Sequence, residues 1–81
     1  MTRKVVLITG ASSGIGRVTA EMFLDKGYIV YGAARSEDKL KYLDKYSDGH
    51  YQIMDITDPV MRSKCVEQIL NEEGRIDILI N

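Results

Sequence analysis

The chain has 81 residues, 44% of them hydrophobic and 28% charged, and a formal net charge of −1. This length allows one small domain at most, and the interspersed acids and bases argue against a nucleic-acid or membrane-surface partner. The single cysteine, Cys65, excludes an intramolecular disulfide and a cysteine-rich metal site. The apolar run behind Arg3 and Lys4 is too short for a signal peptide or a membrane span, so we expect a cytoplasmic protein.

The first part of the chain predicts a strand, a glycine-rich turn and a helix. Val5–Ile8 is a continuous apolar run with β-branched residues at three of four positions, which is typical of a parallel strand buried on both faces. From Ile15 the apolar spacing becomes helical, and Gly27 predicts the end of the helix. The residues expected to share its apolar face are Ile15, Val18, Thr19, Met22, Phe23 and Lys26.

The next segment predicts two further strands joined by a short helix. Residues 28–34 indicate the second strand and residues 50–54 the third. Between them, Ser36 is expected to cap a helix in which Leu40 and Leu43 share one face.

The last part of the chain predicts a longer helix and a fourth strand. Asp58 is expected to cap the helix, Pro59 occupies its first position, and Gly74 ends it. Residues 76–80 indicate the fourth strand. The helix is expected to bury Met61, Cys65 and Ile69, which repeat at four-residue spacing.

The order of elements is therefore β-α-β-α-β-α-β with short connections. Strands that alternate with helices imply a parallel sheet with right-handed crossovers and helices on both faces. We accordingly predict an α/β, doubly wound fold.

The glycine-rich turn, TGASSGIGR at residues 9–17, predicts an anion site. The first turn of a helix has unpaired N–H groups and a partial positive charge, which an anion reaches only where side chains are absent. Gly10 would allow a tight exit from the strand, Gly14 the approach of a phosphate, and Gly16 close packing of the helix. The alternative is a Gly/Ser hairpin or a flexible loop. Arg17 follows Gly16, so the nucleoside-triphosphate P-loop motif is not matched. Ser12 and Ser13 add hydroxyl donors to this turn.

Four segments together resemble the short-chain dehydrogenase/reductase family. They are Thr9-Gly10-x-x-x-Gly14-x-Gly16, Ala34-Arg35 at the end of the second strand, Asp55-Ile56-Thr57 after the third strand, and the fourth strand running into Asn81. The resemblance implies a Rossmann-type sheet with strand order 3-2-1-4, a nicotinamide dinucleotide cofactor, and oxidoreduction of a small carbonyl or alcohol. It also implies a homo-oligomer for the full-length protein.

The resemblance leaves the catalytic residues outside this chain. The family's Tyr-x-x-x-Lys pair is absent, because none of the five tyrosines is followed by lysine four positions later. We therefore assign no catalytic residue. We expect residues 1–81 to be the N-terminal part of one NAD(P)-binding Rossmann domain whose catalytic half is absent. An alternative from another class is an NADP-binding sensor or regulatory module that does not turn the cofactor over.

The end of the second strand favours NADP over NAD. NAD-preferring proteins place an acid near this position, which here is Ala34 followed by Arg35. A guanidinium suits a 2′-phosphate, and Ser36 adds a further donor. The alternative for Arg35 is an exposed loop arginine. The resemblance implies that Asp55 and the Ile56 N–H contact adenine and that Asn81 lies beside the ribose. The candidate cofactor-binding residues are Gly10, Ser12, Ser13, Gly14, Ile15, Gly16, Arg35, Ser36, Asp55, Ile56 and Asn81.

The remaining polar and aromatic residues are interpreted as structural. His50 has no second histidine or cysteine beside it, so we expect no metal site. Cys65 is expected to be a buried thiol. Tyr42 and Tyr46, four residues apart, are expected to pack on one another at the surface. An exposed helix face of mixed charge is expected to carry Lys39, Lys41, Asp44 and Lys45.

Overall fold

The computed structural model describes residues 3–81, which form a four-stranded parallel sheet. The elements in chain order are β1 (Val5–Thr9), α1 (Gly14–Asp25), β2 (Ile29–Ala34), a 3₁₀ helix (Lys41–Lys45), β3 (Gly49–Ile53), α2 (Pro59–Glu73) and β4 (Ile78–Ile80). The strands lie in the spatial order β3-β2-β1-β4, and every pair is parallel. This confirms the predicted doubly wound fold with strand order 3-2-1-4.

β1 is a central strand, with β2 and β4 on either side of it. Val6, for example, is in register with both Val30 and Ile78. All four residues of the apolar run Val5–Ile8 are at most 3% exposed. The run is continuous in sequence because both faces of the strand are buried.

Successive residues of a strand point to opposite faces of the sheet, and two hydrophobic clusters form as a result. The cluster under α1 and the 3₁₀ helix consists of Val6, Ile8, Ala11, Ala20, Val30, Leu40, Tyr42 and Leu43. The cluster under α2 consists of Val5, Leu7, Tyr31, Ala33, Met54, Cys65 and Ile69. Cys65 is buried as predicted, and burial raises the pKa of its thiol.

α1 does not bury the face that the apolar spacing predicted. Ile15 is 84% exposed, Val18 67% and Met22 48%. Of the predicted set, Phe23 packs against the cluster on this side of the sheet, and the fully buried residue of the helix is Ala20. The prediction of this face was wrong.

The reason is the closeness of α1 to the end of β1. A Cβ atom on Gly16 would lie 2.1 Å from the carbonyl oxygen of Gly10. Ala20 follows Gly16 by four residues and therefore lies on the same side of the helix. Close packing thus places the smallest residues against the sheet and leaves the larger apolar residues on the outside.

The connection between β2 and β3 contains a short 3₁₀ helix instead of the predicted α-helix. The Leu43 N–H donates to the Leu40 carbonyl, three residues earlier, at 3.0 Å. This spacing stacks the two leucines on one side, and both are fully buried. They fit because Gly32 has no side chain: its Cβ would lie 2.7 Å from Leu43 Cδ1. Ser36 does not cap this helix, whose N-cap position is Leu40 and has no side-chain cap.

Tyr42 and Tyr46 do not pack on one another, so that prediction was also wrong. Tyr42 is 7% exposed, and its hydroxyl donates to the Ala11 carbonyl in the glycine-rich turn at 2.7 Å. Burial raises the pKa of Tyr42 to about 12, so the hydroxyl stays a donor well above neutral pH. Tyr46 instead donates to Glu21 at 2.9 Å. The 3₁₀ helix is thereby tied to the turn that precedes α1.

α2 begins and ends where the sequence predicted. Asp58 Oδ1 accepts hydrogen bonds from the N–H groups of Val60 at 2.9 Å and Met61 at 3.3 Å, and Pro59 is the first helical residue. Gly74 ends the helix in the left-handed conformation, with φ +79°. Of the predicted face, Cys65 and Ile69 are buried and Met61 is partly buried.

β4 is shorter than predicted, and Asp77 joins its start to β1. The Asp77 N–H donates to the Val5 carbonyl at 2.9 Å, and Asp77 Oδ2 accepts from the Val5 N–H at 2.8 Å. Arg75 Nε donates to the same carboxylate at 2.9 Å. The hydrogen bonds from Arg75 and Val5 lower the pKa of Asp77 below its usual value.

Asp77 is expected to make stability depend on acidic pH. Its pKa is lower in the folded chain than the unfolded value of about 3.9, so its contribution is present above about pH 4 and is lost as the pH falls through the folded pKa. In urea unfolding of the full-length protein, Asp77→Asn should flatten the fall in the free energy of unfolding below about pH 5. The control is Asp44→Asn, an exposed residue whose side chain forms no hydrogen bond or salt bridge within residues 3–81. Parallel pH profiles for Asp77→Asn and the wild type would contradict this.

Tyr42→Phe is expected to destabilise the fold by about 1–3 kcal/mol, because the buried Ala11 carbonyl loses its donor while the ring is kept. Chemical denaturation measures the effect. Tyr28→Phe is the matched control, since the Tyr28 hydroxyl has no hydrogen-bond partner within residues 3–81 and its ring packs on Phe23. This control should stay within about 0.5 kcal/mol of the wild type. Equal effects of the two substitutions would show that the bond to Ala11 contributes nothing.

Candidate functional site

The glycine-rich turn connects β1 to α1 through a sharp change of chain direction. Gly10 has φ +72°, a left-handed conformation that side chains disfavour, and its N–H donates to the Ala33 carbonyl at 2.9 Å. The Ser13 N–H returns to the Gly10 carbonyl at 3.2 Å. The turn is therefore hydrogen-bonded to β2 and to itself, and it is not an open flexible loop.

Ser13 caps α1. Its Oγ accepts a hydrogen bond from the Gly16 N–H at 3.2 Å and donates one to the Gly10 carbonyl at 2.9 Å. The hydroxyl that the sequence offered as a donor to an anion is thus engaged inside the turn.

The three glycines of the turn meet different surroundings. Gly16 has no room for a side chain, since its Cβ would collide with the Gly10 carbonyl. Gly14 has nothing within 4 Å of the position that a Cβ would occupy, and it lies in a helical conformation. The space beside Gly14 is therefore open, and a side chain there would fill it without disturbing the rest of the chain.

The first turn of α1 offers two free backbone donors. The Gly16 N–H is used by the cap, and the Arg17 N–H donates to the Ser13 carbonyl at 2.8 Å. The N–H groups of Gly14 and Ile15 find no acceptor within residues 3–81. Two unpaired donors at the positive end of a helix can bind an anion.

A cavity of about 620 Å³ lies at the carboxyl ends of the four strands. Seven of the predicted residues line it: Gly10, Ser12, Arg35, Ser36, Asp55, Ile56 and Asn81. The other four, Ser13, Gly14, Ile15 and Gly16, do not line it but form the cap and first turn of α1, next to Ser12. The volume lies in the range of about 300–1,000 Å³ that is usual for small-molecule sites.

Asp55 is held at the rim of this cavity by Thr57. Asp55 Oδ1 accepts from the Thr57 hydroxyl at 2.7 Å and from the Thr57 N–H at 2.9 Å. These bonds lower the pKa of Asp55, and the charge of Arg35 adds to the effect. Asp55 is therefore anionic at neutral pH, and its Oδ2 accepts no hydrogen bond within the described residues.

The chain around Asp55 and Asn81 is fixed by two further contacts. Arg62 donates to the Ile56 carbonyl at 2.5 Å, and the Ile56 N–H finds no acceptor within residues 3–81. Thr9 Oγ1 lies 3.0 Å from Asn81 Oδ1 and 3.3 Å from the Ile80 carbonyl. Thr9 and Asn81 thus connect the ends of β1 and β4 under the cavity.

Lys39 also lines the cavity, although it was not among the residues predicted for the site. It was assigned to an exposed helix face of mixed charge, but residue 39 precedes the 3₁₀ helix. The sequence feature that could have indicated Lys39 was its closeness to Arg35, four residues earlier in the chain. Thr9, Ala33, Ala34, Met54 and Thr57 complete the lining.

Within residues 3–81, no three His, Cys, Asp or Glu side chains are grouped so that they could hold a metal ion. In the same range, no helix combines the length and the apolar character needed to span a membrane.

Comparison with known proteins gives a consistent match along the whole chain. The family model for short chain dehydrogenases matches residues 4–81. The chain is 41% identical over 81 residues to a 3-ketodihydrosphingosine reductase of Bacteroides thetaiotaomicron, covering all of this chain and 28% of the relative. It is 40% identical over 80 residues to a 3-oxoacyl-(acyl-carrier-protein) reductase of Salmonella typhimurium, covering 96% of this chain and 33% of that protein. The chain thus spans about a third of the length of these curated relatives.

Solved structures of short-chain dehydrogenases and a related dehydrogenase have the same fold as this chain. A short chain dehydrogenase from Bacillus anthracis superposes with a TM-score of 0.90 at 38% identity, over 96% of this chain and 33% of that chain. A glucose dehydrogenase of Caenorhabditis elegans gives a TM-score of 0.88 at 30% identity, over 99% of this chain and 37% of that chain. On the family match, the sequence identities and the shared fold, this chain belongs to the short-chain dehydrogenase family.

Proposed function

We propose that residues 1–81 are the N-terminal, cofactor-binding part of one NAD(P)-binding Rossmann domain, and that the full-length protein is an NADP(H)-dependent oxidoreductase of a carbonyl or alcohol. One observation carries the proposal: the cavity at the carboxyl ends of the strands brings together the glycine-rich turn that precedes α1, a cation after β2 and an acid after β3. Ligands of open α/β sheets bind at this edge, where the strand order reverses.

The cofactor diphosphate would lie at the start of α1. The free N–H groups of Gly14 and Ile15 are the donors available to it, and the space beside Gly14 admits it. Ser12 offers a hydroxyl from the cavity wall. Ser13 and Gly16 would act indirectly, by capping and placing the helix.

The adenosine would lie between the ends of β2 and β3. The anionic Asp55 can accept from the adenine amino group through Oδ2, and the Ile56 N–H can donate to the ring. Asn81 lies at the end of β4, beside the position proposed for the ribose.

The preference for NADP(H) is proposed from the residues that end β2. Ala34 and Arg35 line the cavity where an acid would contact the ribose hydroxyls of NAD. An acid there would repel a 2′-phosphate, whereas the guanidinium of Arg35 can bind one with two parallel hydrogen bonds. Ser36 supplies a hydroxyl or an N–H from the same wall.

The proposed substrate class and reaction are inferred from the names of the relatives. Both curated relatives described above are named as reductases of a 3-keto or 3-oxo compound, which supports carbonyl reduction. The bound nicotinamide supplies the hydride chemistry. The names of these relatives give no support to the sensor alternative. A homo-oligomeric state and a cytoplasmic location stay predictions for the full-length protein.

Two glycine variants should distinguish a glycine that leaves space for the ligand, Gly14, from one that allows the helix to pack on the strand, Gly16. Gly14→Val is expected to abolish binding of NADPH in calorimetry while the circular dichroism spectrum is unchanged, because the side chain fills only the space of the phosphate. Gly16→Val is the contrasting variant and should lower the stability of the fold itself, because its Cβ meets the Gly10 carbonyl. Retained NADPH binding by a folded Gly14→Val protein would refute the proposed diphosphate position.

Arg35→Ala tests the function and the cofactor preference together. In the full-length protein, assayed with a 3-oxoacyl thioester, the substitution should lower kcat/KM for NADPH about 10- to 100-fold, as expected for loss of about 1.5–3 kcal/mol from a charge-assisted contact. The value for NADH should change by less than about threefold, since NADH lacks the 2′-phosphate.

Arg35→Lys is the matched control and should retain part of the preference, because it keeps the charge and loses the two-pronged geometry. Equal losses for NADPH and NADH would remove Arg35 from the phosphate site. A wild-type protein that bound neither cofactor would overturn the proposed function.

A further inference from the structure

The residues that follow β2 carry both signs of charge along the sequence, but the two signs are separated in space. Arg35 and Lys39 line the cavity, whereas Glu37, Asp38 and Lys41 do not. Two cations from one short segment therefore face the same space, and the two acids between them do not.

Both acids have partners outside the cavity. Tyr51 donates its hydroxyl to Glu37 Oε2 at 3.1 Å. The ammonium of Lys41 lies 3.6 Å from Asp38 Oδ1. These contacts leave the positive charge at the cavity wall without a local counter-charge from this segment.

The backbone at Lys39 is fixed by its neighbour. Leu40 is fully buried, and its N–H donates to the Glu37 carbonyl at 2.9 Å. Leu40 also packs at Gly32, where its Cδ2 lies 3.7 Å from the position of a Cβ. The Lys39 side chain itself is exposed and forms no salt bridge with any residue from 3 to 81. It is free to bind an anion that enters the cavity.

We propose that Lys39 is the second cation for the 2′-phosphate of NADP(H) and acts with Arg35 to select this cofactor. This inference rests on the proposed function. A phosphate monoester carries about −1.5 to −2 charges at pH 7, more than one guanidinium neutralises. Asp55 is the one acid that lines the cavity, so the two cations leave a net charge of +1 to meet the phosphate.

The two cations would do different work. The planar guanidinium of Arg35 would fix the direction of the phosphate through paired hydrogen bonds, while the flexible ammonium of Lys39 would supply a second positive charge from the same cavity wall. The contribution of Lys39 should therefore be electrostatic and sensitive to salt, because exposed charges are screened over about 10 Å at 0.1 M ionic strength.

Calorimetry on the full-length protein can isolate this contribution with two small probes, adenosine 2′,5′-bisphosphate and 5′-AMP. Lys39→Gln should weaken binding of the bisphosphate about three- to tenfold at low ionic strength and change 5′-AMP binding by less than about twofold. The effect on the bisphosphate should shrink in about 0.5 M salt. Lys39 is exposed, and an unchanged thermal midpoint would show that the variant is folded.

Lys41→Gln is the matched control, since Lys41 lies two residues away and pairs with Asp38 outside the cavity. It should leave the binding of both probes unchanged. The inference fails if Lys39→Gln changes neither probe or changes both equally, or if Lys41→Gln weakens the bisphosphate as much. If Arg35→Ala weakens binding of the bisphosphate while Lys39→Gln does not, the proposed role of Lys39 is refuted and the proposed function stands. A wild-type protein that binds neither probe would overturn both the role of Lys39 and the proposed function.

Discussion

The carbonyl oxygen of Gly10 lies 2.1 Å from the point where residue 16 would carry a side chain, and the rest of the site depends on this close approach. Because residue 16 is glycine, the first turn of α1 lies directly against the end of β1. The cap from Ser13 then fits beneath it, and the free N–H groups of Gly14 and Ile15 open at the edge of the sheet where the other strands end. The same closeness brings Ala20 against the sheet. One absent side chain thus sets both the packing of the helix and the position of its donors.

The strands and the caps of α2 were predictable because local chemistry decides them, whereas the strand order was predicted from the resemblance to the short-chain dehydrogenase/reductase family. The buried run in β1, the Asp58–Pro59 start and the left-handed Gly74 each act within a few residues. The face of α1 was not predictable by the same means. Apolar spacing identified a stripe of large residues, but the distance between the helix and the sheet decided which side is buried, and that distance is a tertiary property. Close packing favours small side chains against the sheet, whereas a hydrophobic pattern contains no information about side-chain volume.

The candidate site shows the same division. The glycines, Arg35 and Asp55 could be named because the turn and the strand ends predict where their backbones lie. Tyr42 and Lys39 could not, because their positions depend on the 3₁₀ helix, whose leucines pack into the space left by Gly32. A sequence gives the sign of each charge between residues 35 and 41, but only the packing of Leu40 and the hydrogen bond from Tyr51 to Glu37 determine which charges share the cavity.

The cavity has a polarity that matches an adenosine phosphate. The anionic carboxylate of Asp55 stands after β3, and the cations Arg35 and Lys39 stand after the neighbouring strand β2. Adenine presents an amino donor, and the ribose carries the phosphate, so a 2′-phosphorylated adenosine has its donor and its negative charge at separate ends. Arg35 is the smallest of the causes that lower the pKa of Asp55, and the hydrogen bonds from Thr57 keep this carboxylate anionic at neutral pH without it. Loss of Arg35 would therefore remove the phosphate contact and leave the charge of Asp55 unchanged. Because NAD and NADP share the adenine end, the ratio of the two affinities, and not either affinity alone, reports the phosphate contact.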